Sequence, residues 1–298
     1  MGCLIDVFPI HTQNLRGQRE RQRGMETIAM AEKNFVYEQP DSVIMRAMPL
    51  ITLFAVSLLG FSEIIGKHLQ YSKFWNVNSN SQSMSKKQQK QIKLSSKTGM
   101  LMFYAPAFLA GAASFFLFPD GGLRFLLLKL ALTVHFFKRV FEVLFVHKYS
   151  GGVVLDSAIL VSVAYFMSTA SMIYVQHLTE GYPEPLIDLK YLGVVIFIVG
   201  ISGNFYHHYL LSKLREKGDK GYKLPKGGLF HLVICPHYLF EILTFLGIFL
   251  ISQTLLSFSC ALGSALYLAA RSYVTRKWYL SKFENFPREV KALVPYVF

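Results

Sequence analysis

The segment ALTVHFFKRVFEVLFVHK, residues 131 to 148, sets His135, Lys138, Arg139 and Glu142 three and four positions apart inside an otherwise apolar run. On a helix this spacing puts His135, Glu142 and one of the two cations on a single face. Two uses fit. Lys138 or Arg139 pairs with Glu142 near a membrane interface and only positions the helix, or the cations hold an anionic group and lower the pKa of a proton donor.

A second set of such residues lies further on. Asn204, Tyr206, His207, His208 and Tyr209 close one apolar segment, Arg215 follows, and CPHYLFEI opens the next with His237, Tyr238 and Glu241. Neighbouring helix positions diverge by roughly 100°. His207 and His208 therefore do not share a face, and a metal site built on them is not expected, even with His237 as a further ligand. Glu241 sits deep in apolar sequence and needs a donor partner. Arg271, at the end of the last apolar segment, is a candidate for that partner or for a phosphate, and a cofactor amide or ribose hydroxyl would serve Glu241 as well.

Such residues must be carried by elements that live in lipid. Of the 298 residues 52% are hydrophobic and only 16% charged, and the mean hydropathy is +0.35. This composition indicates an all-α, polytopic membrane protein. Seven apolar segments approach the ~20 residues that a bilayer core requires: about 44–62, 99–118, 123–146, 153–175, 191–211, 230–251 and 254–270. Between the first two lies a linker with Lys67, Lys73, Lys86, Lys87, Lys90, Lys93 and Lys97 and no acid, expected on the cytoplasmic side. Alternation then puts the basic loops 147–152 and 212–228 and the tail after Arg271 on that side, with the acidic loop 176–188 opposite. The net charge of +13 follows from those loops, so the anionic neighbour is a membrane surface and not nucleic acid.

One membrane domain, 44–298, is expected after a polar stretch 1–43, and the arginine-rich residues 1–24 read as an extension ahead of Met25. No signal peptide is evident, and Asp6 does not fit a myristoylation signal. Cys3, Cys235 and Cys260 are too scattered for a disulfide framework or a zinc cluster and read as packing residues.

The run from Asn204 through PKGGLF (225–230), CPHYLFE (235–241), Arg271, KWYLSKFENFP (277–287) and the terminal KALVPYVF resembles the steroid 5-alpha-reductase superfamily. The resemblance covers 191–298 strongly and 93–190 fairly, with the family core at about 150–298. It implies a seven-span enzyme of the endoplasmic reticulum with a cytoplasmic C-terminus. Such an enzyme uses NADPH to reduce a carbon–carbon double bond conjugated to a carbonyl in a lipid within the bilayer. KRVFEVLFVHKYSGG (138–152) and CPHY (235–238) are similar to the very-long-chain trans-2-enoyl-CoA reductase branch, which implies catalytic roles for Lys138, Arg139 and Tyr238. Tyr238 is then the expected proton donor, with Tyr104 as its rival.

The resemblance likewise implies NADPH contacts at Asn204, Arg215, His237, Glu241, Arg271 and Tyr279. The steroid branch has an acid where Tyr104 stands, a tyrosine at Phe136, an aspartate at His208 and a histidine at Thr275. No GxGxxG follows a strand, so the cofactor must be held by side chains projecting into the bundle. Two other readings stay open: a membrane methyltransferase using S-adenosylmethionine, for which Glu284 lacks the usual glutamate partner, and a scaffold of the same fold without catalysis.

Overall fold

The computed structural model describes residues 34–69, 71, 92–149, 151–214 and 223–298. Among these, seven helices run through the chain: α1 (Val43–Ile64), α2 (Ser96–Leu117), α3 (Leu123–Phe141), α4 (Leu155–Leu178), α5 (Lys190–Lys213), α6 (Pro236–Ser252) and α7 (Leu255–Lys282). Each coincides with one of the expected apolar segments. Five of them, α1, α2, α4, α5 and α7, are long and apolar enough to cross a membrane. Of the other two, α3 carries Arg124, Lys129, Lys138 and Arg139, and α6 has only 17 residues.

Two boundaries differ from the sequence reading. α6 starts at Pro236, not near 230, because Pro at N1 suits a helix start while Gly228–His231 forms a separate 3-10 turn. α7 runs on to Lys282, well past the apolar stretch. A two-stranded antiparallel ribbon, β1 (Lys93–Ser95) with β2 (Gly152–Val154), is added to the helices, pairing Leu94 with Val153. It fastens the start of α2 to the start of α4. Ser95 caps α2 by accepting from the Thr98 amide.

The faces of the bundle are reversed from those of a soluble protein. Leu50, Phe54, Leu58, Leu109, Phe116, Val163, Val195 and Ile198 point outward, whereas Glu63, Lys138, Glu142, Asn204, His208 and Arg271 are buried. In lipid, outward apolar side chains cost nothing and ionisable groups must face inward. The protein is therefore integral to a membrane.

Helices pair closely where glycine permits it. α5 lies against α6 with Gly193, Gly200 and Gly203 at the contact, and a Cβ on Gly247 would come 2.5 Å from the Phe197 amide nitrogen. α6 turns directly into α7 through Gln253, whose φ of 49° is left-handed, and Thr254, which forms a capping box with Ser257. Gln253 accepts from Arg124 at 2.8 Å, and Arg124 also reaches Asp188 at 2.7 Å, closing the bundle at that end. The ends of α1, α3, α5 and α7 and the starts of α2, α4 and α6 meet at the opposite end, where the polar residues gather.

Candidate functional site

α3 brings its polar residues to this end and then changes pitch. Glu142–Val146 is a π-helical turn in which the His147 amide donates to the Glu142 carbonyl at 2.8 Å. Five-residue spacing returns His147 over Glu142, which an α-helix would not do, and such turns recur at functional sites.

Glu142, fully buried, meets Lys138 at 3.1 Å and Arg139 at 2.7 Å, with His208 of α5 at 3.0 Å and His147 at 3.9 Å. The structural use of Lys138 and Arg139 foreseen from the sequence is thus real for both cations. Each nevertheless reaches further. Lys138 donates to the Asn204 side-chain oxygen. Arg139 donates to the Tyr104 hydroxyl at 2.5 Å, and its guanidinium lies 4.5 Å from the centre of that ring.

Asn204 in turn donates to Glu241 at 2.7 Å and to the His237 carbonyl at 2.7 Å. His135 approaches the other Glu241 oxygen at 3.4 Å. Lys138, Arg139, Glu142, Asn204 and Glu241 thus form one connected network, with Tyr104 at one edge and His237 and Tyr238, whose rings are 4.3 Å apart, at another. Two cations face two carboxylates, so the network balances its own charge.

The adjacent histidines diverge as helix geometry requires. His207 Nδ1 lies 2.7 Å from the Gly203 carbonyl, and its Nε2 accepts from the Leu229 amide at 3.1 Å while the ring stacks on Phe240. His208 turns to Glu142. Glu142, His147 and His208 therefore come within 4.8 Å of one another, a grouping with metal-ligand chemistry. Arg139 lies 3.0 Å from His208 Nδ1 and Lys138 is also in contact with Glu142. A divalent ion there would face two positive charges at close range, so the grouping reads as an ion-pair network.

The Glu241–Arg271 pairing offered from the sequence does not form. Glu241 is taken by Asn204 and His135, and Arg271 pairs with Glu63 of α1 at 2.5 Å. The reason is reach: α1 packs along α7 and delivers its last-turn carboxylate beside Arg271. Tyr279 lies two turns beyond Arg271 on α7, in an apolar group with Ile234, Cys235, Tyr238 and Phe286. Arg215 lies outside the described residues, as does Cys3. Cys235 and Cys260 are buried and in no disulfide, consistent with packing roles.

Three residues beside the polar cluster were not singled out in the sequence. Glu63 is a lone acid in the apolar stretch LLGFSEII, which was its legible signal, and the structure buries it fully. Tyr71 and Tyr165 gave none. Tyr71 is carried beside Phe103, 5.5 Å between ring centres, and Tyr165 beside Tyr104 at 5.6 Å.

The nicotinamide cofactor that the sequence resemblance implies would have to suit the residues that are present. Asn204 and Glu241 offer an amide and a carboxylate side by side, the complement of a carboxamide, and buried Thr275 Oγ1, one turn beyond Arg271, has no hydrogen-bond partner. The amide–carboxylate pair and the unpartnered hydroxyl are groups that the carboxamide and phosphates of a nicotinamide dinucleotide would use.

Comparison with known proteins bears on the family of the chain. A family model described as 3-oxo-5-alpha-steroid 4-dehydrogenase matches residues 156–298. A steroid 5-alpha-reductase of Gossypium hirsutum is 32% identical over 199 residues, 62% of this chain and 76% of that protein. A very-long-chain enoyl-CoA reductase of Dictyostelium discoideum is 32% identical over 168 residues, 55% of either chain. A 3-oxo-5-alpha-steroid 4-dehydrogenase 2 of Macaca fascicularis is 34% identical over 134 residues, 45% of this chain and 52% of that protein. The last two matches span about half the length of those relatives.

Proposed function

Because this chain belongs to the steroid 5-alpha-reductase superfamily, we propose that it reduces a carbon–carbon double bond conjugated to a carbonyl in a lipid. The substrate is a trans-2-enoyl thioester or a 3-oxo-Δ4-steroid, the reductant is NADPH, and the protein works in the endoplasmic reticulum with a cytoplasmic C-terminus. Bound, the dinucleotide supplies the hydride that the β-carbon receives.

The chain's own residues account for the rest of the reaction. The observation that carries the reading is the Arg139–Tyr104 contact. Arg139 donates to the phenol oxygen at 2.5 Å, which leaves the phenolic hydrogen to be given to another acceptor. A substrate carbonyl placed there is polarised by Tyr104, and the guanidinium sits where negative charge gathers as the enolate develops. This favours Tyr104 over Tyr238 for the carbonyl. Tyr238, packed on His237, is then the second acid, which delivers the proton to the α-carbon. Lys138 fixes Asn204, and Asn204 and Glu241 orient the carboxamide.

Purified protein should oxidise NADPH with one of these substrates, assayed beside an active relative. No oxidation with either, or with a polyprenol-type substrate, overturns the reading. Tyr104→Phe should lose roughly 10²- to 10⁴-fold in kcat while cofactor binding persists. Full activity in Tyr104→Phe together with loss in Tyr238→Phe would move the carbonyl donor to Tyr238.

A further inference from the structure

Glu63 ends α1 with its side chain fully buried, and its carboxylate collects three donors. Arg271 Nη1 stands at 2.5 Å, His68 Nδ1 at 2.8 Å and the Leu69 amide at 3.2 Å. A guanidinium, an imidazole and a backbone N–H gathered on two oxygens is the donor set that phosphate groups take. Here the protein's own carboxylate fills it.

The three donors do not belong to one body. His68 and Leu69 lie on the segment that Glu63 leads into, and only Arg271 comes from another helix. That segment continues to Tyr71, whose ring lies 4.6 Å from the Arg271 guanidinium and whose hydroxyl meets that of Tyr267 at 3.0 Å. Tyr71 also bridges to Val153 of β2 and packs edge-on to Phe103 of α2. Residues 63 to 69 together with Tyr71 thus reach from α7 towards the start of α4, and the Glu63–Arg271 pair is the charged clasp at the α7 end. Both its side chains are at most 2% exposed. Separating such a pair without replacement leaves a buried charge uncompensated, whereas exchanging one anion for another does not.

We propose that Glu63 is an exchangeable counter-ion: it occupies Arg271 until a phosphate group of a bound nucleotide takes the guanidinium, and its departure frees residues 63–69 from α7. This rests on the dinucleotide reading above and adds to it a competitor that is part of the chain. Thr275 Oγ1, buried without a partner one turn beyond Arg271, is the next donor in line for the incoming phosphate. The apparent affinity for the nucleotide is then reduced by the fraction of molecules in which Glu63 holds Arg271.

The test compares wild type, Glu63→Gln and the double variant Glu63→Gln/Arg271→Met, each full-length in detergent. NADP⁺ binding is followed by calorimetry, and thermal midpoints are followed with NADP⁺ or with sodium pyrophosphate alone. Glu63→Gln should melt lower than wild type without ligand, bind NADP⁺ at least about tenfold more tightly, and gain more from pyrophosphate. Arg271→Met in that background should abolish both gains. Where NADP⁺ binds the wild type, equal or weaker NADP⁺ binding in Glu63→Gln, or gains that survive in the double variant, overturns the proposal.

If pyrophosphate stabilises Glu63→Gln beyond wild type while NADP⁺ affects neither, the counter-ion role stands and the dinucleotide reading falls. If NADP⁺ binds wild type and Glu63→Gln alike, the dinucleotide reading stands and the counter-ion role falls. Where Glu63→Gln does not accumulate, Glu63→Asp keeps the charge but shortens its reach. It should tighten binding in the same direction, and weaker binding overturns the proposal.

Discussion

Replacing Glu142 by Gln keeps the shape of the side chain and removes a charge that two cations share. Lys138 at 3.1 Å and Arg139 at 2.7 Å would both face a neutral amide, and His208 at 3.0 Å would lose its carboxylate contact. The amide has one acceptor oxygen, so satisfying Arg139 turns its NH₂ toward Lys138, donor against donor. Removing one partner of a buried pair typically costs about 3–5 kcal/mol. At about 2 °C per kcal/mol for a chain of this size, the thermal midpoint should fall by about 6–10 °C. The assay is fluorescence-monitored melting in one detergent at one scan rate, since unfolding of such a protein is read kinetically. The double variant Glu142→Gln/Lys138→Met removes a charge of each sign and should recover part of the loss, a coupling that a double-mutant cycle isolates. A fall below about 2 °C, with no recovery in the double variant, would refute the view that Glu142 is the shared counter-charge of this network.

Two further outcomes follow from packing and from charge. Gly247→Ala would bring a Cβ within 2.5 Å of the Phe197 amide nitrogen and 2.8 Å of the Gly193 carbonyl oxygen, backbone atoms that do not yield. It should lower stability by about 1–3 kcal/mol, while Gly122→Ala, with nothing within 4 Å of its Cβ, should lower the melting midpoint far less, through the N-cap preference for Gly alone. Burial, reinforced by the adjoining His208 and Arg139, holds the His147 imidazole down at about 2 against its usual 6.5. The unfolded chain therefore takes up a proton below pH 6.5 that the folded protein refuses, and stability should fall between pH 7 and pH 5. His147→Gln should flatten that slope, and an unchanged slope across the same window would remove His147 as its source.

Most of the secondary structure was legible because lipid imposes a simple rule. A backbone without water must satisfy its own hydrogen bonds, so long apolar runs become helices, and all seven runs did. The same rule marked Lys138, Arg139, Glu142, Asn204 and Glu241 as inward-facing, because an ionisable group at membrane depth needs a partner. The family was also readable from the order of small motifs between Asn204 and the end of the chain.

Partner choice could not be read in this way. Glu241 and Arg271 lie within reach of each other in sequence terms, yet the first is satisfied by Asn204 and His135, and the second by a carboxylate 208 positions earlier. Which of several available donors meets a buried carboxylate depends on how helices are stacked, and helix stacking is set by glycine contacts such as Gly247 against Phe197, not by periodicity. The π-turn after Phe141 is a second case. One added residue per turn brings His147 back over Glu142, and a hydrophobic pattern with a period near 3.6 carries no mark of it. The sequence thus determined that the polar residues must face one another at membrane depth. Only the tertiary structure decided the pairs, handing Arg139 to Tyr104 and Arg271 to Glu63, because pairing is a matter of ångströms between different helices.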